Sequence, residues 1–299
     1  MTHAAALLGA LVADAASMGL HWLYDPQRIA SVIDETGQAA FCPNRAAHFD
    51  GAKGYYAHAN RRDGQFTQYG EVTYLAACVI ADQGQFDVAL YQQAFAAHFG
   101  AGGKYTGYID RPTRGVLNNI AASQNDPSGI DDDQHPAIAT FPALIAAKQS
   151  NLVEAMRVTN VNQAAQDYGQ RFTRLLTDVL AGTPLPQTLA QSAAGNPLLE
   201  QALRSSEADS VIYGETTQRA CHLPQGMPLA FHIMTHSTSY AQAVETNIRA
   251  GGDSAGRALI LGSVMGAVHG IATPEGIPLH WILTMENAAQ VWATVRSIT

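Results

Sequence analysis

The chain has little cysteine, little charge and no sustained alternation of polar and apolar residues, and each shortage removes a class of protein. Its three cysteines, Cys42, Cys78 and Cys221, lie far apart with no CxxC pair, which excludes a disulfide framework and a cysteine zinc site. Charged residues make up 14% of 299, and no basic cluster is longer than Arg61-Arg62. With 25 acidic against 17 basic residues and a net charge of −8, the chain has no means of neutralising a phosphate backbone, so no nucleic-acid partner is expected. The uncharged run 258–274 is too short and too glycine-rich to span a bilayer. The apolar residues 4–20 carry Asp14 and lack a basic leader segment, so they read as a core helix and not as a signal peptide. No membrane partner is expected, and the cytoplasm is the expected location.

What the chain has in quantity is alanine and helically spaced apolar residues, within a hydrophobic content of 47%. Helices are predicted over 4–19, from about 71 to 82, and over 86–99, 112–122, 136–148, 151–157, 161–181 and 186–193. Shorter ones are predicted near 197–206 and 215–219, two more between 227 and 249, and a last one over 283–298. No linker, repeat or low-complexity segment divides the chain, so the expected fold is all-α, a single compact multi-helix domain over residues 1–299.

One stretch stands apart. Gly251-Gly252-Asp253-Ser254-Ala255-Gly256-Arg257 leads into a nearly charge-free segment with Gly262, Gly266 and Gly270 at every fourth position. Asp253 and Ser254 occupy the place of N-cap residues, and the glycine row lets a neighbouring helix come close. The N-terminal segment carries a similar stripe, Ala5, Gly9, Ala13 and Ala16, so the two helices are expected to pack together. Asp14 sits inside that apolar stripe, where a buried carboxylate must be paired, hydrogen-bonded or metal-bound.

Further signals lie in the connections. His21-Trp22-Leu23-Tyr24-Asp25-Pro26 reads as a turn that either lines a pocket or plugs the core. Residues 51–68, with Tyr55, Tyr56, His58, Arg61 and Arg62, form a long loop suited to stacking on a ring and holding a phosphate. Glu71 falls in the first turn of the following helix, with Gly70 just before it, where negative charge is favoured. Residues 101–108 are glycine-rich but lack the spacing of a phosphate loop. Asp131-Asp132-Asp133-Gln134-His135 reads as solvated charge before a helix.

Taken together, the opening Leu-Leu-Gly-Ala-Leu-Val helix with Asp14, the Tyr69-Gly70-Glu71 helix start and the Arg249–Asp253 segment with its glycine-repeating helix resemble the ADP-ribosylglycohydrolase family. His21-Trp22-Leu23-Tyr24-Asp25 and Arg257 are closest to its J1-crystallin and selenoprotein J branch. The resemblance implies a compact helical fold and, in active members, two Mg²⁺ ions between the second and third motifs that orient a ribose and a water. Active members release ADP-ribose from modified side chains. Here the family's Thr-Asp-Asp-Thr falls on Gly70, Glu71, Val72 and Thr73, and its Gly-Gly-Asp-Thr-Asp-Thr falls on Gly251 to Gly256. Glu71 and Asp253 are thus the remaining metal ligands. With Asp14 they are the expected catalytic residues, and His21, Tyr24, Tyr69, Gly252, Ser254 and Arg257 are expected around the substrate. Two carboxylates offset the repulsion of two divalent cations poorly, so at most one weakly held Mg²⁺ is expected and no other cofactor. The implied function is a hydrolase of ADP-ribosyl or related glycosidic bonds, acting on a small molecule or an ADP-ribosylated substrate. The alternatives are a catalytically inactive nucleotide- or ADP-ribose-binding protein and a crystallin-like structural protein.

Overall fold

In the computed structural model, which describes all residues 1–299, two helices made largely of small residues touch backbone to backbone. They are α1 (Thr2–Ser17) and α14 (Ser254–His269). A Cβ added at Gly9 would stand 2.3 Å from the carbonyl oxygen of Gly262, and one at Gly266 2.4 Å from that of Ala5. The expected pairing of the two stripes is therefore observed. Gly270 is not part of it: it ends α14 with φ +79°. The segment Thr2–Leu20 has the length and apolarity of a membrane span, yet from Ala4 onward it is buried inside the protein.

The other helices wrap this pair. In chain order they are α2 (Pro26–Thr36), α3 (Gln68–Gln83), α4 (Val88–Phe99), α5 (Arg111–Ala121), α6 (Phe141–Ala146), α7 (Leu152–Arg157) and α8 (Gln163–Leu180) before α9 (Leu185–Ala193) and α10 (Pro197–Arg204). There follow α11 (Ser210–Tyr213), α12 (Leu223–Thr235), α13 (Tyr240–Ala250), and, after α14, α15 (Leu279–Thr284) and α16 (Ala288–Ile298). Helices α8, α12 and α13 pack on α14, whereas α3, α6 and α16 pack on α1. There is no sheet, only isolated bridges, so the chain is a single compact helical domain.

Local chemistry explains where the sequence-based boundaries fail. Helix α2 was not expected, but Asp25 caps it by accepting from the Arg28 N–H at 3.0 Å, and Pro26 opens it. The expected helix over 136–148 is a 3₁₀ turn, His135–Ile138, followed by α6; each has a proline in its first turn. No helix forms over 215–219; the short helix lies earlier, at Ser210–Tyr213, where Asp209 caps it. The final helix is divided at Asn287, which has φ +58°.

Helix α3 starts at Gln68, with Thr67 as its N-cap, so Gly70 lies within the helix and not before it. Asp14 fixes this start: its Oδ2 accepts from the Thr67 N–H at 2.8 Å and its Oδ1 from the Thr67 hydroxyl at 2.5 Å. Gly70 is required beside it, since a Cβ there would lie 2.2 Å from Asp14 Oδ2. Burial pushes the Asp14 carboxyl up, against the Thr67 hydrogen bonds, to about 7.

Two outcomes follow from these contacts. Gly262→Ala should lower stability by about 1–3 kcal/mol, because its Cβ would meet the Gly9 carbonyl oxygen and the Ala13 Cβ, both at 2.6 Å; an unchanged urea midpoint would contradict the packing. Asp14 has a folded pKa above its unfolded one, so its contribution is greatest below the ordinary 3.8 and declines as pH rises to about 7. Between pH 4.5 and 7.5 the wild type should therefore lose roughly 3 kcal/mol relative to D14N, and parallel stability profiles would show that Asp14 ionises normally.

Candidate functional site

The loop Gly251-Gly252 brings three distant segments together. Both glycines have positive φ (75° and 67°). A Cβ on Gly252 would stand 2.2 Å from the Arg219 carbonyl oxygen, so only glycine fits there. The Gly252 carbonyl accepts from the Trp22 N–H at 2.8 Å and its N–H donates to the Leu23 carbonyl at 2.7 Å. The Asp253 N–H donates to the Arg219 carbonyl at 3.0 Å. These bonds lock the His21–Leu23 turn against the start of α14 and set the His21 ring beside the Asp253 side chain.

Asp253 is completely buried and caps α14, its Oδ1 accepting from the Gly256 N–H at 3.2 Å. His21 Nε2 stands 2.7 Å from Oδ1 and His135 Nδ1 2.7 Å from Oδ2, while the Tyr69 hydroxyl donates to Oδ2 at 3.2 Å. Burial alone would raise the Asp253 pKa; the His135 and His21 imidazoles overcome it and hold the carboxyl well below the usual range. Tyr69 moves the opposite way, raised by burial and by the Asp253 charge.

Arg257 supplies the neighbouring cation. It is fully buried, and its guanidinium donates to the Asn247 side chain at 2.8 Å and to the carbonyls of Asn247 and Gly251 at 3.2 and 2.5 Å. It thus satisfies the C-terminal carbonyls of α13, where positive charge is favoured. Burial lowers its pKa to about 10, with the Asp253 charge opposing that shift, so it is cationic at neutral pH.

Several expected site residues are buried or partly buried. Arg257 was expected at the substrate but has no exposed surface, and Ser254 is equally buried, its hydroxyl unpaired. Gly252 contributes backbone bonds to the turn. Tyr24 is partly buried beneath Lys53, whose Nζ lies 5.9 Å from the ring centroid. Asp14, expected to be catalytic, is completely buried and spends both oxygens on Thr67.

Glu71 and Asp253, expected to flank one cation, are turned to different partners. Glu71 is paired with Arg61 and with His98 Nε2 at 3.0 Å, and it lines a cavity of about 110 Å³ beside Tyr74 and Glu286. The α3 residue that faces Asp253 is Tyr69. Mg²⁺ requires oxygen ligands in a near-octahedral set. Here the Asp253 oxygens are engaged by two imidazoles, a phenol and an amide, and those of Glu71 by a guanidinium and an imidazole. No group of three or more His, Cys, Asp or Glu side chains is arranged to hold a metal. These residues do not fit the metal pair that the sequence motifs suggest.

Beside Asp253 lies a small cavity of about 10 Å³ lined by His21, Trp22, His58, Gln68, Tyr69 and Asp110 among others. His21 Nδ1 stands 2.7 Å from His58 Nε2. Asp110 caps α5, its Oδ1 accepting from the Thr113 N–H at 2.8 Å, and its backbone N–H donates to Gln68 Oε1 at 2.7 Å. Three residues lining this cavity each carry a buried polar atom without a partner: Trp22 Nε1, His58 Nδ1 and Asp110 Oδ2. Burial holds His58 well below the ordinary imidazole range, and burial raises Asp110. Trp22 and Tyr108 line the cavity and Tyr55 packs against both, with centroids 4.9–6.1 Å apart.

Gln68 and Asp110 were not singled out from the sequence, and His58 and His135 appeared there only as members of a loop and of an acidic run, not as partners of Asp253. The only available signal was a histidine within a loop in two of these cases. His135 is 118 residues from Asp253, and no local pattern connects them.

Comparison with known proteins agrees with the fold. The chain is 27% identical to crystallin J1A of Tripedalia cystophora over 93% of its own length and 90% of the relative's. It is 26% identical to crystallin J1B of the same animal over the same shares. A solved structure described as an ADP-ribosylglycohydrolase-related protein complex superimposes with a TM-score of 0.73 at 16% identity, covering 99% of this chain and 96% of that one. The family model for ADP-ribosylglycohydrolase matches residues 3–299. This chain therefore belongs to the ADP-ribosylglycohydrolase family.

Proposed function

We propose that this protein hydrolyses an ADP-ribosyl or related glycosidic bond without a divalent cation, at the cavity beside Asp253. The observation that carries this reading is the saturation of the Asp253 carboxylate by His21, His135, Tyr69 and the Gly256 N–H, next to a cavity with unpaired polar atoms of both donor and acceptor type. In this arrangement the Arg257 guanidinium provides a buried positive charge and the imidazoles provide hydrogen-bond donors to the carboxylate.

Cleavage of a ribosyl bond passes through a transition state with positive charge on the sugar. Asp110 lines this cavity and its Oδ2 has no donor, so it is the carboxylate oxygen left to stabilise that charge. The aromatic cluster of Trp22, Tyr55 and Tyr108 offers faces for stacking a nucleobase, and Tyr55 is 57% exposed. Asp253 acts through the rings it orients and does not itself touch the substrate.

The full-length likeness to the two crystallins favours a second reading, a structural protein without turnover. Release of ADP-ribose from arginine-, serine- and acetyl-linked substrates, measured in EDTA and in excess Mg²⁺, separates the two. Turnover in EDTA within about twofold of that in Mg²⁺ is expected, with D110N and H21A each lowering kcat by about 100-fold. No release in either condition would leave the structural reading, and release only with Mg²⁺ would overturn the metal-free mechanism.

A further inference from the structure

We infer that His58 is the general base of this site, its Nδ1 held unprotonated toward the cavity by a relay running from Asp253 through His21. The inference rests on the hydrolase reading for its chemistry, but the order of protons along the relay stands on hydrogen-bond geometry and on the buried Arg257 cation.

The argument begins at the charged end. Asp253 is a carboxylate and can only accept, so His21 Nε2, at 2.7 Å, must carry a proton and donate it. The fully buried Arg257 guanidinium, four residues along α14, balances the Asp253 charge, and the relay is drawn with a neutral His21. A neutral His21 with its proton on Nε2 has a lone pair on Nδ1. His58 Nε2, 2.7 Å away, must then donate to it. A neutral imidazole carries one proton, so the lone pair of His58 falls on Nδ1, the unpartnered atom of a ring that lines the cavity. His58 is 3% exposed and stacks on His21 with centroids 5.0 Å apart, so the ring has little freedom to turn over.

The cavity complements a nucleophile. Its volume of about 10 Å³ is the room of a single water, which needs two to four polar partners. His58 Nδ1 and Asp110 Oδ2 are acceptors and Trp22 Nε1–H is a donor, and all three are buried and unpaired. A water there donates both hydrogens and accepts one, which leaves an oxygen lone pair for attack. In the reaction His58 Nδ1 takes one water proton and the water oxygen forms the bond to the anomeric carbon. The bond to the leaving group breaks with its electron pair on that group, which then takes the proton from His58. The Nε2–H of His58 stays on the His21 lone pair, so the transient imidazolium is stabilised through His21 by Asp253.

The test reads the rings directly. Long-range ¹⁵N–¹H correlation of the full-length wild type labelled in histidine, with rings assigned through backbone-to-ring correlations, should show His58 protonated on Nε2 and bare on Nδ1. A proton on Nδ1 overturns the inference whether or not any substrate is cleaved. With a substrate the wild type does cleave, H58Q should lower kcat by about 100-fold at unchanged KM, and wild-type kcat would overturn the base role. If the wild type cleaves none of the three substrate classes, the hydrolase reading fails and the base role falls with it, while the spectrum still decides the order of the relay.

Discussion

Asp253 is kept ionised in a part of the core that excludes solvent, and much of the surrounding structure is organised to make that tolerable. A buried charge is costly unless it is paired and hydrogen-bonded on every side. Four donors reach its two oxygens, from the His21 turn, the 3₁₀ turn at His135, helix α3 and the first turn of α14. Arg257, four residues on, is the compensating cation, and its own burial is offset by carbonyls at the end of α13. Removing any of these partners leaves the others short of one, so the arrangement is mutually dependent.

The backbone architecture serves the same end. The close contact of α1 with α14 through Gly9, Gly262 and Gly266 fixes where α14 begins, and Asp14 ties the start of α3 to α1. The start of α3 is the point from which Gln68 and Tyr69 reach the cavity. Asp14 and Asp253 are therefore both buried acids at helix starts, but they act differently. Asp14 has only neutral donors and its proton is held to about pH 7; Asp253 has imidazoles and stays charged.

Family membership and the site chemistry bear on different questions. A model match over residues 3–299 and a fold shared at 16% identity concern the scaffold. The chemistry lies in side chains placed on it. Glu71 shows the difference: its carboxylate stands where the motif leads one to seek a metal ligand, yet it is neutralised by Arg61 and His98 in a separate cavity.

Most helices were legible in the sequence because apolar spacing and small-residue stripes are local patterns that survive in the fold. Asp253 was visible too, since two glycines followed by a cap residue mark a helix start. By itself the sequence determined the all-helical class, the pairing of α1 with α14 and the position of the acid at the mouth of α14. Only the tertiary structure decided what that acid meets. Hydrogen bonding between His21, His58, His135, Tyr69 and Asp253 depends on angles and distances set by helices far apart in the chain. Tyr69 and Glu71 stand two positions apart on α3, about 200° around its axis, so a helix that turns Tyr69 to Asp253 turns Glu71 away to Arg61 and His98.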